Sequence, residues 1–319
     1  MRLKHLTAIV CIALPALAHA ADDWQTLKKS VQASRNQVLT GTYLHQMSGV
    51  VETFHIVRGA GTEGVIELRQ SLDGTPREIL RNGSELTGYG PDKKALMAAK
   101  VSAMRLFPAL LPDDMAGVAE SYTLKRLAGD RVAQRECDWL ELKAKDRARY
   151  GLRLCLDRAS LLPLKIMTLT PAQEPVEQYM FTELDLAAPK DRNQFKPHYP
   201  LSLPIRNAST SVPPSGAGMQ GVEVSGLPSG FRLIRALQRS LPGQAEHAVR
   251  HLVYTDGLVM LSLFIEPAAA EPRAERVSTL YGAVAMASGS QGGMQLTLVG
   301  DLPEASMMSL LKSIRVVQK

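Results

Sequence analysis

Apolar residues recur along this chain in two rhythms, and the change between them marks out its elements. From Asp22 to Gln37, DDWQTLKKSVQASRNQ places Trp24, Leu27, Val31 and Ala33 or Ser34 near one helical face behind an acidic start, which predicts an opening helix. The rhythm then shortens. TGTYLHQM, VVETFHIV, GVIELRQSL and PREILRN are β-rich runs set off by Ser48-Gly49, the Gly59 to Gly64 loop, Asp73-Gly74 and Asn82-Gly83. Asp-Gly and Asn-Gly are strong hairpin signals because both central positions of the tight turn take positive φ. The four runs read as an antiparallel meander.

Residues 92–118 break the pattern. DKKALMAAKVSAMRLFPALLPDDMAGV is rich in Ala, Leu and Met and poor in β-branched residues, which predicts short helices or a lid. Strands resume at ESYTLKRL and continue through RVAQRECDWLELKAKDRARYGLRLCLD, LPLKIMTLT and VEQYMFTELDL. One curved sheet of roughly seven to nine strands, with helices on one face, accounts for residues 21–188. Residues 189–215 hold PKDRNQFKPHYPLSLPIRNASTSVPPS, six prolines with little periodicity, and read as a linker. Residues 216–319 carry further hairpins and close on DLPEASMMSLLKSIRVVQ, where Asp301 is placed to cap a helix, Pro303 suits its first turn, and Met307, Leu310, Leu311 and Ile314 form its apolar stripe. The expected fold is α+β, a large antiparallel domain followed by a smaller α+β domain.

The first twenty residues fix the compartment. Arg2 and Lys4 precede an apolar run from Leu6 to Leu17 and an Ala18-His19-Ala20 exit, the form of a secretory signal. That run is too short to span a bilayer, and no later stretch approaches about 18 uninterrupted apolar residues, so no stable membrane anchor is expected. Val10 before Cys11, with so short a run upstream, argues against lipid attachment at that cysteine. Removing residues 1–20 takes away Arg2 and Lys4 and no acidic residue, so the formal charge falls from +6 to +4. Such a mild balance, with aromatics at 5%, excludes a nucleic-acid binder as the leading class.

Export gives Cys137 and Cys155 an oxidising environment, where an isolated pair tends to form a disulfide. A hairpin turning at Lys145-Asp146-Arg147 pairs residues whose numbers sum to 292, which sets the two cysteines directly opposite each other, Leu140 against Leu152 and Leu142 against Tyr150. A staple is favoured over free buried thiols or a redox pair, since there is no C-x-x-C and no further ligand nearby for zinc. The same register sets Lys143 against Arg149 and Lys145 against Arg147. These four are candidates for contact with an anion, either lipid phosphate or an acidic partner segment; a solvated tip is the plainer reading. Met97, Met104, Leu106, Phe107 and Leu110 are candidates for an apolar acyl cavity or lid beside the sheet, against the plainer reading of ordinary core.

Catalytic signatures do not assemble. Ser309-x-x-Lys312 lacks the companion elements of a penicillin-type acyl transferase. His247 and His251 lack an H-E-x-x-H frame and a third ligand. There is no G-x-S-x-G and no Walker loop, and SGSQGG sits where a hairpin turn belongs. No enzyme, metal or cofactor is expected.

In series, SLDGTPREILRNG, GDRVAQRECDWLEL, RYGLRLCLDRASLLPLKI, LPSGFRLI, VYTDGLVMLSLFIE and TLVGDLPEASMMSLLKSIR resemble the RseB/MucB family of sigma-E factor regulatory proteins, across nearly the whole exported chain. The resemblance implies a periplasmic regulator whose N-terminal domain is a LolA-like half-open β-barrel with helices. It implies binding to the periplasmic domain of an RseA/MucA-type anti-sigma factor, protection of that factor from site-1 proteolysis, and release by lipopolysaccharide or lipoprotein acyl chains. The alternative is a LolA-type lipid or lipoprotein carrier, for which the second domain is surplus.

Overall fold

The computed structural model describes residues 15–115, 117–205, 222–241, 244–268 and 274–318. Most of the predicted leader, residues 1–14, lies outside them. The opening helix α1 runs Pro15–Asn36. Its predicted face is the buried one: Leu27, Val31 and Ser34 are covered and Trp24 packs at the core margin.

Ten strands follow. They are β1 (Leu39–Met47), β2 (Val50–Gly61), β3 (Gly64–Ser71), β4 (Glu78–Asn82), β5 (Glu85–Gly90), β6 (Tyr122–Val132), β7 (Arg135–Ala144), β8 (Gly151–Asp157), β9 (Pro163–Leu169) and β10 (Pro175–Asp185), with helices α2 (Lys93–Ser102) and α3 (Val118–Ser121) between β5 and β6. An eleventh strand, β11 (Leu201–Ile205), pairs with β5. The sheet order is β11-β5-β4-β3-β2-β1-β10-β9-β8-β7-β6, antiparallel throughout. Two meanders, β1–β5 and β6–β10, therefore lie side by side, joined by the β1–β10 pair. The sheet curls until β6 and β10 come into contact, with α1 against β6, but it does not close, because β6 and β11 remain its two edges.

The Pro-rich stretch read as linker is partly structural. Besides supplying β11, it lays Phe195 against Gly59 and hydrogen-bonds His198 to Glu78, so it covers the outer face of β2, β3 and β4. The remainder of that stretch, 206–215, lies outside the described residues.

The cysteine hairpin forms in a shifted register. Leu140 faces Leu154, Leu142 faces Leu152 and Trp139 faces Cys155, so partner numbers sum to 294 rather than 292. The loop of residues 145–150 is centred on Arg147, because Asp146 accepts from the Ala148 amide and pairs with Arg149. Cys137 faces Asp157 and lies diagonal to Cys155, yet strand twist brings their Cα atoms to 5.4 Å and the disulfide forms. Lys143 consequently faces Thr123 of β6, not Arg149.

The second domain builds a six-stranded sheet of order β13-β14-β15-β18-β17-β16 from β13 (Arg232–Leu241), β14 (Gln244–Thr255), β15 (Met260–Pro267), β16 (Arg276–Tyr281), β17 (Val284–Gln291) and β18 (Met294–Gly300). Helix α4 (Glu304–Ser313) packs on it, and β12 (Val222–Ser225) pairs with β19 (Arg315–Gln318). Met307, Leu310, Leu311 and Ile314 are buried, as their spacing predicts. Asp301 does not cap α4. Its carboxylate is drawn instead to Arg105 of the first domain, and the helix begins after Pro303 without a side-chain cap.

Candidate functional site

Chemistry-bearing side chains gather where the two domains meet. On one side of the joint, β1, β2 and β10 contribute His45, Glu52 and Glu177, residues whose sheet parity points them at the concave face. His45 Nε2 lies 2.7 Å from Glu177 Oε1, which also accepts from the Tyr179 hydroxyl at 2.9 Å. Arg105, just beyond α2, donates to Glu177 Oε2 at 3.2 Å and to Asp301 of the second domain. The His45 ring stacks on Tyr179 at 4.1 Å and meets the edge of Tyr281, from the second domain, at 5.9 Å. Gly282 follows with φ +54, and a Cβ there would come within 2.9 Å of the Glu177 carboxyl carbon. Only glycine permits both the turn and the approach.

Glu177 is buried, which raises its pKa, but the His45 hydrogen bond and the Arg105 charge outweigh burial and hold the carboxyl below its usual range. Behind it lies a second buried set. Arg58 Nε and Arg69 Nε reach the two oxygens of Glu67 at 2.5 and 2.7 Å, and Arg58 also donates to the Ser34 carbonyl of α1 at 2.6 Å. Burial again raises the carboxyl pKa, and the flanking arginines overcome it, leaving Glu67 at about 2. Arg77 completes the wall by bonding Glu52 at 2.7 Å and Ser102 at 2.8 Å over the Phe54 ring. His45, Arg69, Arg77, Arg105, Tyr179 and Tyr281 line a cavity of about 20 Å³, room for about one water.

On the other side of the joint, the tip of the cysteine hairpin enters the second domain. Arg149 is 3% exposed. Its Nε lies 2.7 Å from Asp256 Oδ2, its Nη2 donates to the Ser229 carbonyl at 2.5 Å, and its guanidinium carbon sits 5.0 Å from the Phe231 ring centroid. Arg149 is therefore not available to an external anion. Lys143, Lys145 and Arg147 remain exposed, with Lys145 Nζ donating to the Ala119 carbonyl at 2.8 Å.

The five candidate cavity residues do not converge. Helix α2 seats on β5 through Ala95 and Ala99 against Gly90 and Gly88, so Met97 faces solvent, as does Met104 just after the helix. Phe107 belongs to the main core, Leu110 lies at its margin, and Leu106 lines the small cavity. His251 stacks on Phe264 and meets Ser262, and Lys312 pairs with Glu275. Among the described residues no cluster of metal-ligating side chains occurs.

Sequence reasoning missed His45, Arg105, Glu177, Asp256 and Asp301. For His45 and Glu177 the available signal was a titratable residue at inward parity on an apolar strand, readable only once the register is known; Arg105, Asp256 and Asp301 lie in connections between elements, where no such parity applies.

Both halves of the chain match family descriptions: the MucB/RseB N-terminal domain over residues 22–199 and the MucB/RseB C-terminal domain over residues 217–315. The sigma factor AlgU regulatory protein MucB of Pseudomonas aeruginosa is 30% identical over 95% of this chain and 94% of that protein. The solved Pseudomonas aeruginosa MucA/MucB complex is similar at 27% identity, covering 93% of this chain and 99% of that one with a TM-score of 0.72. A crystal structure of MucB is similar at 26% identity, covering 92% of this chain and 98% of that one, with a TM-score of 0.62. With both domains matched in order, the chain belongs to the MucB/RseB family of non-catalytic regulatory proteins.

Proposed function

We propose that this chain is a periplasmic negative regulator of sigma-E signalling that binds the periplasmic domain of an RseA/MucA-type anti-sigma factor and shields it from site-1 proteolysis. The observation that carries this reading is the similarity to MucB in the MucA/MucB complex across both domains, at a TM-score of 0.72. The joint supplies the surface. Met104 and Leu280, 78% and 52% exposed, directly precede Arg105 and Tyr281, which line the joint. Apolar side chains at the rim of a charged, close-packed seam suit a partner segment with an apolar face and polar flanks.

Lipid release fits the same frame. The cavity at the joint is far too small for an acyl chain, so a lipopolysaccharide or lipoprotein chain that acts there binds at the rim or to an opened joint, with Lys143, Lys145 and Arg147 meeting its phosphates. It displaces the partner only by favouring an arrangement that binds the partner less well. Among the described residues no helix is long and apolar enough to cross a membrane. The test is a calorimetric titration of the purified protein with the periplasmic domain of Pseudomonas aeruginosa MucA, with and without lipopolysaccharide. A complex weakened by lipopolysaccharide is expected; no heat of binding at micromolar concentrations refutes the reading.

A further inference from the structure

The hairpin tip carries more than a surface charge. Arg149 and Asp256 are 3% and 0% exposed, and they belong to different domains. Around the guanidinium, Asp256, Ser229 and Phe231 come from the second domain, while Asp146 of the arginine's own loop and Tyr122 of β6 face it from the first. A buried ion pair adds little net stability compared with apolar packing, but it discriminates between geometries, because a misplaced partner leaves a charge desolvated and unpaired. The surrounding contacts are equally selective. A Cβ at Gly230, which has φ +86, would lie 2.4 Å from Ser121 Oγ, so the backbone of one domain sits directly against the other.

We propose that Arg149 and Asp256 form a positioning clasp, which fixes the orientation of the second domain against the first and thereby shapes the joint that meets the anti-sigma factor. The inference rests on the partner reading above. In such a system the apparent Kd is the intrinsic Kd divided by the fraction of molecules already in the competent arrangement. Opening the clasp weakens binding without touching a residue that contacts the partner.

Asp256→Asn is the informative variant. Asp256 Oδ1 accepts the Leu258 and Val259 amides at 2.9 and 2.8 Å, and Asn retains that oxygen, so the turn survives while the charge opposite Arg149 is lost. Arg149→Met, which keeps an apolar stem over Phe231, removes the other half and decides the matter if the first variant does not fold. Two measurements apply to wild type and variants: the radius of gyration of the free protein by small-angle X-ray scattering, and calorimetric affinity for the Pseudomonas aeruginosa MucA periplasmic domain. The expected result is a larger radius of gyration and a Kd at least tenfold weaker. An unchanged radius and affinity, with only a lower melting temperature, overturns the clasp. Failure of the wild type to bind MucA overturns the partner reading instead, and the scattering still decides whether the pair sets the domain orientation.

Discussion

Replacing both Cys137 and Cys155 by Ala tests the staple quantitatively. The disulfide joins residues 18 apart in sequence, and both cysteines are 0% exposed. On the chain-entropy relation, releasing a loop of that length gives the unfolded chain about 3 kcal/mol at 25 °C. Losing two packed sulfur atoms from a close-packed interior adds on the order of 1 kcal/mol. Trp24 and Trp139, the only two tryptophans of the chain, both pack against the first domain's core, so their fluorescence during urea unfolding reports that domain alone. With a slope of about 2 to 3 kcal/mol per molar urea, the midpoint should fall by roughly 1 to 2 M. Partner affinity should stay close to wild type, because the cysteines lie in the core and not at the joint. A stability loss under about 1 kcal/mol would refute the loop-closure argument.

Two further outcomes are expected. Glu67 is held at about 2 in the fold against an ordinary 4.5, so it contributes stability above pH 4.5 that disappears as pH falls towards 2. The shift corresponds to about 3 kcal/mol; urea midpoints measured between pH 2 and 6 should show that slope in wild type and lose it in Glu67→Gln, and equal slopes would contradict it. Replacing Lys143, Lys145 and Arg147 by Gln, with Arg149 left intact, should reduce sedimentation with phosphatidylglycerol vesicles at low salt while leaving the radius of gyration unchanged; undiminished sedimentation removes these residues as lipid contacts.

The legible parts of this fold were those set by local periodicity and turn chemistry. The face of α1 through Leu27 and Val31, the Asn82-Gly83 turn and the Met307-Leu310-Leu311 stripe all appear where the spacing puts them. What failed depended on distant partners. The hairpin register moved by two positions because Asp146 and Arg149 shape the loop, and Arg149 answers to Asp256, more than a hundred positions away. In β3, Ile66 and Leu68 alternate with Glu67 and Arg69, and alternation alone does not say which face is covered. The charged pair is inside, with Arg58 and Arg69 each taking one oxygen of Glu67, and Leu68 is buried on the outer face, where the chain around Phe195 crosses the sheet. Asp301 has every local mark of a helix cap and serves the other domain.

The pairing of β11 with β5 also sets a tether. Because the chain is anchored to the first sheet as far as Ile205, and the second domain begins its pairing at Val222, only residues 206–221 span the interval. Fully extended, they reach at most about 60 Å. A domain on so short a leash experiences its neighbour at an effective concentration in the millimolar range. A contact worth only about 4 kcal/mol then suffices to keep half the molecules closed. The joint consequently needs no large apolar area to hold its arrangement, and a ligand that prefers one state by a few kcal/mol can reverse it, which is the sensitivity a stress sensor requires.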